Sequence, residues 1–272
     1  MAYLISFFYF FSTLLTFIIP NGNSQEWSYT DQDSWPSSCK GNCQSPIPLD
    51  TNTEVRTFFE NFHFNRNYYR QHDATITNTG HTIEINFLND GGCQVVSGGG
   101  LPTEYILQSF HFHWGAEHTV NDYRYPLEGH FVHYAKKYES FENALNFSDG
   151  IAVFSSFYEI SEKSNVAFDN LVKSVPEVAS NRDQAVNLQE TINVFDFLPS
   201  NTQIFYRYRG SLTTPNCNEV VIWTLFSVPS YLSESQLKEL TQIYDADDEL
   251  LECNYRKLQN LNGRKVLLVY TF

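Results

Sequence analysis

The stretch Phe110-His111-Phe112-His113-Trp114-Gly115 constrains this chain more than any other. In a β-strand, residues two apart share a face. His111 and His113 then stand side by side, roughly 6–7 Å apart at Cα, while Phe110, Phe112 and Trp114 turn toward a core. In a helix the two histidines would lie about 200° apart around the axis and could not serve one ion. The aromatic run, closed by Gly115, favours a strand. A lone His-x-His pair is more often two buried rings bonded to backbone than a metal site, so the rest of the chain has to decide.

A second strand-like segment, Glu128-Gly129-His130-Phe131-Val132-His133, puts Glu128, His130 and Val132 on one face and Phe131 and His133 on the other. If His130 joins His111 and His113, three neutral nitrogens surround one open position, which is the catalytic rather than the closed structural pattern for zinc. Glu128 can then accept the proton on the second ring nitrogen of His130 and fix its tautomer. The chain has no Cys-x-x-Cys and no His-Glu-x-x-His, which argues against a thiolate zinc site and a zinc peptidase.

Residues 1–25 carry no charged side chain, and Ala2 to Ile19 is almost wholly apolar before Pro20-Asn21-Gly22. Small residues at Gly22 and Ser24 mark residues 1–24 as a secretory signal peptide and 25–272 as one domain. Secretion permits disulfides among Cys39, Cys43, Cys93, Cys217 and Cys253, and the odd count leaves one thiol unpaired or pairing between chains. The charge of −14 is spread along the chain, so nucleic acid and anionic membranes are poor partners. No later apolar run is long enough for a membrane anchor in the mature chain. Asn146-Phe147-Ser148 is the one glycosylation sequon.

Residues 25–50 read as an irregular wrap. Strand-like runs follow at Thr82–Leu88, Glu104–Trp114, Gly129–Tyr134, Ile151–Ile160, Ile204–Tyr208, Val220–Val228 and Lys265–Thr271, many separated by Gly, Asn, Asp or Pro clusters. One helix is expected within Ser161–Val175 and another after the capping box Ser233-Glu234-Ser235-Gln236. The pattern predicts a mainly β, α+β single domain: a large, twisted, mostly antiparallel sheet of about ten strands with short surface helices.

Taken together, the residues resemble the α-class carbonic anhydrases. The span from Ala116-Glu117-His118-Thr119-Val120 through Tyr125 to Glu128-Gly129-His130-Phe131-Val132 fits the family signature except at Ala116, where serine is usual. Trp27-Ser28-Tyr29, Gln44-Ser45-Pro46-Ile47, Asn78-Thr79-Gly80-His81, Ser211-Leu212-Thr213-Thr214-Pro215 and Asn254 through Arg264 also match, in order along nearly the whole mature chain. The resemblance implies a secreted, extracellular zinc enzyme that interconverts CO2 and bicarbonate by zinc-hydroxide attack. His111, His113 and His130 would hold Zn2+. Thr213, bonded to Glu117, would orient the hydroxide. His81 would export protons, with Tyr29 and Asn78 ordering the water chain. Val132, Val153, Leu212, Val221 and Trp223 would form the dry wall for CO2, with Thr214 on the substrate side. His118 would be structural beside Glu117. The resemblance also implies a Cys39–Cys217 disulfide, stabilising by roughly 4–5 kcal/mol on the chain-entropy view, and sensitivity to anion and sulfonamide-type inhibitors.

Two further residues depart from the family. Ser109 stands where glutamine often supports the first ligand, and Glu84 stands where a neutral amide is common near the cavity mouth. Asn254 begins the last matching block and is expected around the ligands with Glu128 and Ser109. The competing class, a silent relative acting as a binding protein, typically lacks a ligand histidine, and here all three are present. Hydrolysis of activated esters is expected as a side activity at most.

Overall fold

A computed structural model describes residues 27–52, 54–88 and 92–272. The leader and its cut after Ser24 lie outside the described residues. Among the described residues, thirteen strands form one sheet. Ten follow in the order Val186–Asn187, Ala74–Asn78, Ile83–Phe87, Tyr105–Trp114, Leu127–Ala135, Ile151–Ser161, Val221–Phe226, Ile204–Gly210, Leu267–Thr271 and Val55–Phe59. Pairing is mainly antiparallel. Ile151–Ser161 runs parallel to Val221–Phe226 and to Ser230–Ser233, and Leu267–Thr271 runs parallel to Val55–Phe59.

The central strands are covered on both faces. Phe110, Phe112, Phe131 and Phe154 enter one buried cluster, and Val132, Val153, Val221 and Trp223 enter another on the opposite side. This two-sided cover explains why Leu127–Ala135 is almost entirely buried and reads as a continuous run rather than a clean alternation. The register between Tyr105–Trp114 and Leu127–Ala135 shifts between Leu107 and Ser109. Gln108, the extra residue of this bulge, is exposed. An added residue exchanges the two faces of a strand. Tyr105 and Leu107 therefore share the large core with Phe110 and Phe112, and His111 and His113 turn to the other side.

The helices are short. The expected helix within Ser161–Val175 is confined to Val166–Val172, with Asn165 capping its start. A separate turn of helix, Val175–Val178, carries a proline in its first positions, and proline cannot continue the preceding helix there. Ser233 and Gln236 form the expected capping box ahead of Glu234–Leu240. No helix among the described residues is long and apolar enough to cross a membrane.

His133 illustrates how burial sets charge. It is fully buried, hydrogen-bonded to the Tyr68 hydroxyl and to the Ala152 carbonyl, and burial pushes it down to about 4. The fold thus keeps the ring neutral, while the unfolded chain takes up a proton near pH 6.5. The stabilisation is complete above pH 6.5 and is lost as pH falls through about 4. Replacing the ring by His133→Phe should flatten the acid limb of stability across that window by roughly 3 kcal/mol, read by urea unfolding at a series of pH values. An acid limb identical to wild type would contradict this.

Candidate metal centre and cavity

Strand register assembles the site in rows. Glu84, His111, His130 and Ser155 are successive cross-strand partners over four strands. The neighbouring rows are Ser109, Val132, Val153 and Trp223, and His113, Glu128 and Phe157. Directly opposed residues share a face with Cβ atoms about 5 Å apart, so histidines distant in sequence are forced together.

One donor nitrogen from each of His111, His113 and His130 lies within 4.8 Å of the other two. Their tautomers are set from behind. His113 donates through Nδ1 to the Asn254 carbonyl at 2.7 Å, leaving Nε2 for the site. His130 donates through Nε2 to Glu128 at 2.8 Å, leaving Nδ1. Burial, with repulsion from the other two rings, holds His111 well below its ordinary pKa. Burial lowers His113 to about 4. Both are therefore neutral, the form that binds metal. His113 Nε2 is buried without a hydrogen-bond partner, and an orphaned buried nitrogen requires an explanation. Three ring nitrogens facing one point suit zinc, for which carbonic anhydrase is itself the standard catalytic example.

A second close group, His118, Glu128 and His130, is occupied internally. Glu128 accepts from the His118 backbone at 2.9 Å, His118 Nδ1 at 2.8 Å, His130 Nε2 at 2.8 Å and Ser155 Oγ at 2.6 Å. Burial alone would raise its pKa, but His118 and His130 together hold it well below the carboxylate range. His118 also bonds Tyr208 at 2.7 Å. Its side-chain partners are thus Glu128 and Tyr208.

Glu117 is buried completely. Its Oε1 accepts the Arg256 backbone N–H at 2.8 Å. Its Oε2 lies 3.7 Å from His113 Nε2 and 3.9 Å from His130 Nδ1. Burial raises its pKa; His130, the Thr213 side chain and the Arg256 N–H work the other way, and Oε2 is buried without a hydrogen-bond partner.

A cavity of 230 Å³ opens onto the histidines. His81, Tyr29, Val132, Val153, Leu212, Thr213, Thr214 and Trp223 all line it. Val221 does not. It lies behind the wall, packed in the same apolar cluster as Val132, Val153 and Trp223. Asn78 is also displaced from its expected role: it is buried, donates to the Ala179 and Tyr244 carbonyls, and accepts the Gly80 N–H, so it holds the turn that presents His81. Gly80 takes φ +78, which a side chain would resist.

The His81 ring stacks on Trp27 at 3.7 Å between centroids, and its carbonyl accepts from Asn254 Nδ2 at 3.0 Å. Asn254 therefore ties the ligand strand to the His81 loop. Ser109 is buried in the strand, and among the described residues no hydrogen bond from it to His111 is present. Trp27, Thr79 and Thr82 line the cavity as well, and sequence reading missed them. Thr82 stands two residues from Glu84, so strand alternation alone was enough to find it. Asn146 is exposed. A larger groove, 650 Å³ near Asn165 and Tyr231, contains no histidine.

Cys39 and Cys217 are disulfide-bonded, and Cys43, Cys93 and Cys253 are free. The bridge lies with Tyr29 and Trp35 in a small cluster of its own. Cys217 also donates its backbone N–H to the Thr214 carbonyl at 2.8 Å, which closes the loop carrying Thr213.

Sheet and site together define a mainly β enzyme whose histidines are arranged to hold a metal ion. Residues 23–270 match the family model of the eukaryotic-type carbonic anhydrases. Carbonic anhydrase 6 of Bos taurus is 32% identical over 93% of this chain and 84% of its own length. Carbonic anhydrase 4 of Mus musculus is 32% identical over 93% and 87%. Carbonic anhydrase 6 of Homo sapiens is 33% identical over 93% and 87%. The chain belongs to the eukaryotic-type carbonic anhydrases, enzymes of CO2 hydration.

Proposed function

We propose that the chain is a secreted zinc enzyme that hydrates CO2 to bicarbonate and a proton, with His111, His113 and His130 as the ligands. The observation that carries this is the convergence of three nitrogens whose tautomers are fixed from behind, with His113 Nε2 left buried and unpartnered. Bound zinc supplies Lewis acidity, which makes water a nucleophile at neutral pH. Elemental analysis of purified protein should find about one zinc per chain; protein that binds none at micromolar zinc would count against the reading.

The remaining roles fall to the protein. Thr213 donates its hydroxyl proton to Glu117, so its oxygen faces the cavity as an acceptor and orients the attacking water. Val132, Val153, Leu212 and Trp223 give apolar CO2 a dry surface. Oxygen adds to the CO2 carbon, and the displaced proton leaves by way of His81, with Tyr29 beside the path. Extracellular placement is supported by the apolar leader and the formed Cys39–Cys217 bridge, and a glycan at exposed Asn146 is compatible with it. Sulfonamide-type inhibitors and activated esters are further ligands of the same centre.

Proton export is separable from attack on CO2. His81→Ala should therefore lower kcat by about 10- to 100-fold in dilute, non-transferring buffer, leave kcat/KM nearly unchanged, and recover with added imidazole. Thr213→Ala, by contrast, should lower both parameters. Stopped-flow hydration distinguishes them, and an unaltered kcat for His81→Ala would rule out the shuttle role.

A further inference from the structure

We infer that the Glu84 carboxylate is an electrostatic filter that weakens anion binding at the histidine centre and so sets the enzyme's selectivity between neutral and anionic ligands; this rests on the reading of that centre given above. Glu84 is the cross-strand partner of His111, and directly opposed residues share a face. Its side chain therefore belongs to the face that bears the ligands. Among the described residues lining the cavity it is the one acid, and none of them is a lysine or arginine. The wall opposite is apolar: Val132, Val153, Leu212 and Trp223. A negative charge on the lining of so small and partly dry a space is weakly screened.

The reaction makes this charge consequential. CO2 enters neutral and bicarbonate leaves as an anion. A fixed negative charge near the centre leaves CO2 almost untouched and repels bicarbonate or any competing anion. The overall equilibrium constant is fixed, so Glu84 cannot favour one direction. It weakens bicarbonate retention in hydration and bicarbonate capture in dehydration together. The consequence is resistance to product and anion inhibition.

Thiocyanate binding to the zinc-loaded protein at low ionic strength, read by titration calorimetry, tests the inference without relying on turnover. Glu84→Gln should tighten thiocyanate binding about five- to tenfold, as expected for one charge removed at roughly 8 Å in a partly screened site. Glu84→Asp, which keeps the charge, should stay within about twofold of wild type. Glu104→Gln controls for net charge. Glu104 pairs with Lys136 on the surface and lies seven residues along the strand from His111, about 23 Å away. It should change nothing. A Glu84→Gln effect below about twofold, or an equal tightening by Glu104→Gln, overturns the filter. Zinc content measured on the same samples separates the two failures. Wild-type protein without zinc counts against the centre itself, and zinc-loaded proteins that bind thiocyanate alike count against Glu84.

Discussion

His130→Ala should lose zinc and, with it, at least about 1,000-fold in CO2 hydration, the equivalent of roughly 4 kcal/mol of transition-state stabilisation. The reason is geometric. His130 lies directly opposite His111 across the strand pair, and its Nδ1 faces the site only because Glu128 takes the proton of Nε2 at 2.8 Å. Removing the ring takes one of three donors away. It also leaves Glu128 with the His118 and Ser155 bonds but without the neighbour that helps keep it ionised. Zinc affinity by chelator competition and hydration by stopped flow should fall together. A His130→Ala protein with wild-type zinc affinity and rate would remove His130 from the centre.

Cys39→Ser should destabilise the fold by about 5 kcal/mol on the chain-entropy view, because the bridge joins residues 178 apart in sequence. For a domain of this size that corresponds to a fall in Tm of about 10–20 °C. The loss should also reach the site. Arg256 donates from its guanidinium to the Cys39 carbonyl at 2.7 Å and from its backbone to Glu117 at 2.8 Å, and Cys217 closes the loop that carries Thr213. Thermal unfolding under matched conditions reads the effect, and a Tm within about 2 °C of wild type would show that the bridge contributes almost nothing.

The ligand strands were legible because His111 and His113 sit at a period of two inside an aromatic run, and because His130 repeats the pattern beside Glu128. The sequence concealed the bulge at Gln108, which fixes the face those histidines take, since a bulge changes register without changing composition. The Val55–Phe59 edge strand was not expected: its burial is irregular and Phe58 is exposed, so it lacks the alternation that marks a half-buried strand. Ala74–Asn78 alternates well, but the clearer run that follows it masks it in the sequence. Val221 shows the limit of reading a cavity wall from residue type, because wall and core share the same apolar chemistry. Asn78 and Thr79 are adjacent, but Asn78 ends the strand with its side chain buried, while Thr79, just past the strand end, lines the cavity.

The most direct test is CO2 hydration by stopped flow on one preparation in three states: as purified, after removal of metal by a chelator, and after return of one equivalent of zinc. The account predicts activity, then loss of at least about 1,000-fold, then recovery with one zinc per chain. Metal-free protein that hydrates CO2 at the rate of the purified enzyme would contradict it.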